Sequence, residues 1–128
     1  MDSAIIDWLL EGDPSIQFQT KRDLLEIPSS ELEALQLRIQ IEGWGRKFLS
    51  LQNENGLWGG GIYTPKWIST HYTLMTLMRL ELPPTNAQAR KACLILLDKG
   101  FYKDGGINHF VHDPVRERCK EGLRPVPR

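Results

Sequence analysis

The residues best suited to chemistry in this sequence gather around His71, with Trp67 and Tyr72 beside it and Tyr63 a little before. An imidazole takes up and releases a proton near neutral pH, so His71 is the one candidate for general acid or base work. The faces of indole and phenol rings attract cations and pack against apolar molecules. Tyr63, Trp67 and Tyr72 therefore suit the lining of an apolar pocket, with His71 at its edge. Plainer roles fit the same residues, His71 as a hydrogen-bonded side chain at a helix start and the rings as core packing. Packing is the expected role of Trp44 and Trp58.

No metal or cofactor is expected. The histidines, His71, His109 and His112, and the cysteines, Cys93 and Cys119, do not fall into a metal-ligand spacing. Both cysteines read as free thiols. Asp104, His109 and His112 sit in or after a second glycine-rich turn, where they could approach the mouth of a cavity.

The segment before this group has to hold it in place. From Gly45 to Gly61 the chain reads Gly-Arg-Lys-Phe-Leu-Ser-Leu-Gln-Asn-Glu-Asn-Gly-Leu-Trp-Gly-Gly-Gly. Phe48, Leu49 and Gln52 share a helical face, and Asn55-Gly56 followed by Gly59, Gly60 and Gly61 ends that helix. A glutamine amide carries two donors and an acceptor. At a helix end Gln52 can reach backbone groups of the adjoining turn and of a neighbouring helix start. Gly56 allows a positive φ between them, and the Trp58 ring covers the contact.

A Gln followed four residues later by Gly and two further on by Trp resembles the repeat of squalene hopene cyclases and their prenyltransferase relatives, over roughly residues 44 to 110. The resemblance implies an all-α fold, a partial α/α toroid of paired helices around an apolar cavity. In it Gln52, Gly56 and Trp58 would tie neighbouring helix ends together. It further implies an isoprenoid or similar apolar ligand for the pocket of Tyr63, Trp67 and Tyr72, with His71 facing the cavity. The opening Trp8-Leu9-Leu10-Glu11-Gly12-Asp13-Pro14-Ser15 is also similar to the start of bacterial proteins related to these cyclases. Two departures leave catalysis open. The Asp-x-Asp-Asp acid motif of the cyclases does not occur, and the zinc-site pattern of the protein-prenylating relatives has no counterpart.

The elements follow from caps and apolar spacing. Asp2 or Ser3 caps a first helix carrying Ile5, Trp8 and Leu9, closed by Gly12. Asp13-Pro14 starts a second, to about Glu26, with Ile16, Phe18, Leu24, Leu25 and Ile27 as its apolar residues. Pro28 ends it, and Ser29-Ser30 opens a third with the stripe Leu32, Leu35 and Ile39, bent or broken at Gly43-Trp44-Gly45. After the glycine turn, Pro65 keeps residues 62–67 extended. Ser69 or Thr70 then caps a helix to about Leu82 that is apolar nearly all round and so suits an interior. Thr85-Asn86 opens the last, with the face Ala89, Cys93, Leu96 and Leu97, closed by Gly100. Gly59-Gly60 and Gly105-Gly106 stand 46 residues apart (59 to 105), the length of a helical hairpin, and suggest a repeat whose second copy lacks the Gln and the Trp.

These readings give a helical domain over residues 1–112 and a basic, flexible tail over 113–128. Lys plus Arg and Asp plus Glu number 16 each, so no net field draws nucleic acid or an anionic membrane. No apolar run approaches the roughly 20 residues of a membrane span. The start lacks the pattern of a signal peptide, and the expected location is cytoplasmic. Five or six helices make only an arc of a toroid, and an arc exposes apolar side chains, so a homo-oligomer is expected. Three functions stand: an apolar-ligand binder, a non-catalytic helical module for protein association, and a terpenoid-processing enzyme using His71.

Overall fold

The computed structural model describes residues 2–108, which form six helices and no β-strand. They are α1 (Ser3–Leu10), α2 (Pro14–Gln19), α3 (Ser29–Arg38), α4 (Gly43–Ser50), α5 (Thr70–Arg79) and α6 (Ala87–Gly100), in line with the all-α expectation of five or six. His109, His112, Cys119 and the 113–128 tail lie outside the described residues. The chain divides into two compact units, Met1–Ser50 with Leu77–Asn86, and Leu51–Thr76 with Ala87–Arg128.

The first unit is built on the caps that the sequence announces. Asp2 Oδ1 accepts from Ala4 N at 3.0 Å. Asp13 serves two helices, Oδ1 accepting from Ser15 N of α2 and Oδ2 from Trp44 N of α4, both at 2.8 Å. Gly43, at φ +60, begins α4, so the Gly-Trp-Gly stretch breaks one helix and opens the next. Trp44 is solvent-exposed, contrary to its expected packing role, because it rides the first turn of α4 with its backbone turned to Asp13. After α2 the chain widens into a π-helical turn, Thr20–Leu24, in which Leu25 N donates to Thr20 O at 3.1 Å. Glu26, at φ +53, ends it before Pro28.

Phe18, Leu32 and Ile39 form the core of this unit, with Ile27, Leu35 and Leu82 packed against them. Each such side chain, fully buried, contributes roughly 1.5–3 kcal/mol. Glutamine amides tie the 77–86 segment to it, Gln19 Nε2 donating to Arg79 O at 3.0 Å and Gln36 Nε2 to Glu81 O at 3.1 Å. Arg22 adds an ion pair to Glu81 at 2.8 Å.

In the second unit Leu57, Trp58, Ile62 and Ala92 are buried together with the polar Ser69, Thr70 and Thr73. α5, expected to be apolar nearly all round and to run to about Leu82, ends at Arg79 and buries Thr70 and Thr73 as well as Leu77, while Met78 is 67 % exposed. Burying the Thr70 hydroxyl costs little because it is paired: its Oγ1 donates to Gly61 O at 2.7 Å and accepts from Trp58 N at 2.9 Å. The hydroxyl therefore stitches the glycine turn instead of capping its own helix, and the Ser69 hydroxyl is buried without a partner. On α6 Ala92 and Gly100 are buried, Ala89, Ile95 and Leu96 are half-buried, and Cys93 and Leu97 face solvent. The shift from the expected face follows from Gly56, whose backbone comes against Lys91 and Ile95 and sets which side of α6 turns inward.

A turn geometry recurs along the chain, at a spacing other than that of the glycine doublets. In the first turn Asn53 N donates to Leu57 O (2.8 Å), Gly56 N to Asn53 O (2.9 Å) and Leu57 N to Asn55 Oδ1 (3.0 Å). In the second, Tyr102 N donates to Gly106 O (2.9 Å), Gly105 N to Tyr102 O (2.9 Å) and Gly106 N to Asp104 Oδ1 (3.0 Å). The same three bonds recur 49 residues apart (56 to 105), so Asn55-Gly56 matches Asp104-Gly105, and the glycine doublets are not equivalent.

Candidate functional site

Gln52 lies two residues beyond α4. Its Nε2 donates to Gly56 O at 2.9 Å and to Gln88 O, in the first turn of α6, at 3.1 Å. Its Oε1 accepts from Gln88 Nε2 at 3.0 Å. One amide thus spans the turn and an adjoining helix start, the arrangement that its chemistry and spacing call for. Gly56 has φ +88, and Trp58 is 2 % exposed.

From this turn the chain passes through the bridge between Trp58 and Gly61 and returns to α5. Thr70 N and His71 N donate to Gly61 O and Ile62 O at 3.1 and 2.8 Å, which fixes the start of α5 against the glycines. Four rings meet there. Tyr72 is central, its centroid 5.2 Å from Tyr63, 5.1 Å from Trp67 and 5.2 Å from His71, the last edge-on at 83°. Tyr63 and His71 lie 5.6 Å apart. Trp67 occurs at φ +73 and is 72 % exposed, so it is the outward ring of the cluster, with Lys66 Nζ 5.2 Å from its centroid.

Desolvation, with a hydrogen bond that the Tyr72 hydroxyl donates to the Tyr63 side chain, pushes the Tyr72 phenol up to about 12. Tyr72 is thus a neutral phenol at physiological pH, a polar group that does not serve as a base there. The cluster offers tilted and edge-on aromatic rings, one of them exposed, whose faces suit an apolar molecule, with one imidazole and one ammonium beside them.

All four residues singled out in the sequence, Tyr63, Trp67, His71 and Tyr72, are brought into one cluster. Gln52, Gly56 and Trp58 meet in the supporting turn. Asp104 is part of the second turn, where its carboxylate accepts from Gly106 N. Lys66 and Gln88 carry no sequence signal, since a lysine before a tryptophan and a glutamine in a first helical turn both read as solvated. Thr70 has one, a hydroxyl at a helix start, though its partner is the turn. Among the described residues no three His, Cys, Asp or Glu side chains gather as a metal site, and no helix is long and apolar enough to cross a membrane. Comparison with family models, with curated proteins and with solved structures finds no match to the chain.

Proposed function

We propose that the protein is a squalene-cyclase-like helical module, part of an α/α toroid, that binds an isoprenoid or similar apolar molecule against Tyr63, Trp67 and Tyr72. The observation that carries this reading is the ring cluster itself, with Trp67 presented to solvent at its outer side. An exposed indole beside two phenols gains by being covered with apolar surface. The bridging amide of Gln52 supports the kinship, because the resembling repeat requires that contact. Binding is proposed in preference to cyclisation, since the strong-acid motif is absent from the sequence.

Thermal unfolding of the full chain with farnesol, farnesyl diphosphate or a straight-chain alcohol tests the reading. A ligand of the folded state at a hundred times its Kd adds about 2.7 kcal/mol, which for a chain of this size raises Tm by roughly 10 °C. The rise should occur with the isoprenoids and disappear in Trp67→Ala. An unchanged Tm with every isoprenoid would refute it. A catalytic role for His71 would further require that His71→Ala abolish a measured turnover while the fold stays intact.

A further inference from the structure

The aromatic cluster leaves two other apolar stripes unused. On α6 and just past it, Leu94 and Phe101 are each 65 % exposed and Leu97 is exposed as well. At helical spacing these three lie on one side. On α1, Ile5 and Trp8 are exposed at i and i+3, Trp8 at 69 %, and no residue of that helix is buried.

The charges near the two stripes are opposite in sign. Between Arg90 and Asp104 stand Arg90, Lys91, Lys99 and Lys103 against Asp98 and Asp104. Between Asp2 and Asp13 every charged residue is acidic, Asp2, Asp7, Glu11 and Asp13. The repeated turn adds a second argument. Gln52 precedes the first turn and its amide clamps a neighbouring helix of the same chain. In the equivalent place before the second turn, 49 residues on (52 to 101), stands Phe101 with its ring in solvent. A large apolar side chain in that position holds a neighbour only by being covered.

We propose that Leu94, Leu97 and Phe101 seat α1 of a second copy of the chain, with Ile5 and Trp8 as the inserted side chains and the acidic residues of α1 set against the net positive charge of the 90–104 segment. The two faces of this contact are different surfaces of the same protein, so a copy that has lost one of them still offers the other.

Sedimentation of the full chain across micromolar concentrations tests this. The parent should form dimers or larger species. Trp8→Asp and Phe101→Asp should each associate at least about tenfold more weakly, as expected for loss of a central anchor. Mixing the two variants should restore a one-to-one heterodimer and nothing larger, because one intact pair of faces remains. A parent that stays monomeric, a variant that associates like the parent, or a mixture that stays monomeric would overturn the proposal. Circular dichroism checks that helix content is kept. If Phe101→Asp loses it, Leu94→Glu takes its place in the same comparison, with the same expected and overturning results.

Discussion

Replacing Gly56 and Gly105 by alanine, one at a time, separates backbone strain from packing at two copies of one turn. The glycines hold the same hydrogen-bonded position at φ +88 and +86. A Cβ in this left-handed region costs about 1 kcal/mol. At Gly105 nothing lies within 4 Å of that Cβ, so the strain is the whole effect. At Gly56 the Cβ would stand 2.8 Å from Ile95 Cδ1 and 3.0 Å from Lys91 Cε. Both are ends of flexible side chains, so they yield, at a further cost of about 1 kcal/mol in displaced rotamers and lost contact. Gly56→Ala is expected to lose about 2 kcal/mol and Gly105→Ala about 1 kcal/mol. In urea, with a slope of about 1–3 kcal/mol per molar, the midpoints should differ by roughly 0.5 M. Equal midpoints, or a greater loss for Gly105→Ala, would refute the close approach of the first turn to α6.

Two further outcomes follow from the same unit. Thr70→Val keeps the shape of the side chain but removes the hydroxyl acceptor of the buried Trp58 N, while Gly61 O keeps its bond from residue 70 N, so it should cost about 1–3 kcal/mol in urea unfolding. Ser69→Ala removes a buried hydroxyl that has no partner and should be neutral or stabilising in that assay. Tyr72 gives a pH dependence. Its folded value is raised from 10.0 to about 12, so the folded state keeps the proton that the unfolded chain releases. The stabilisation is fully present below pH 10 and is lost as pH rises towards 12. Tyr72→Phe should flatten the fall in stability over that window, and an unchanged fall would remove Tyr72 as its source.

The fold was legible where the signal is local. Asp2 and Asp13 mark helix starts, and Pro28 followed by Ser29-Ser30 marks the break before the third helix, by chemistry that needs no knowledge of the tertiary structure, and the structure has helices beginning at Ser3, Pro14 and Ser29. The Gln52 contact was legible because an amide with donors and an acceptor at a helix end can reach both the adjoining turn and a neighbouring helix start, the role that the resembling repeat implies. The grouping of Tyr63, Trp67, His71 and Tyr72 followed from their closeness along the chain. What escaped depends on the path of a loop. The inward turn of Thr70 is set by where Gly61 places its carbonyl, and the buried side of α6 by how closely Gly56 approaches. The likeness of the two turns lies in their Asx-Gly hydrogen bonds, which the more conspicuous glycine doublets conceal.

The claim on which the rest depends is that one amide holds the first turn to the start of α6. Gln52 makes three hydrogen bonds to Gly56 and Gln88, partly exposed, and each contributes about 0.5–1.5 kcal/mol. Urea unfolding of Gln52→Ala should therefore show a loss of about 2 kcal/mol relative to the parent. A Gln52→Ala protein as stable as the parent would contradict the clamp.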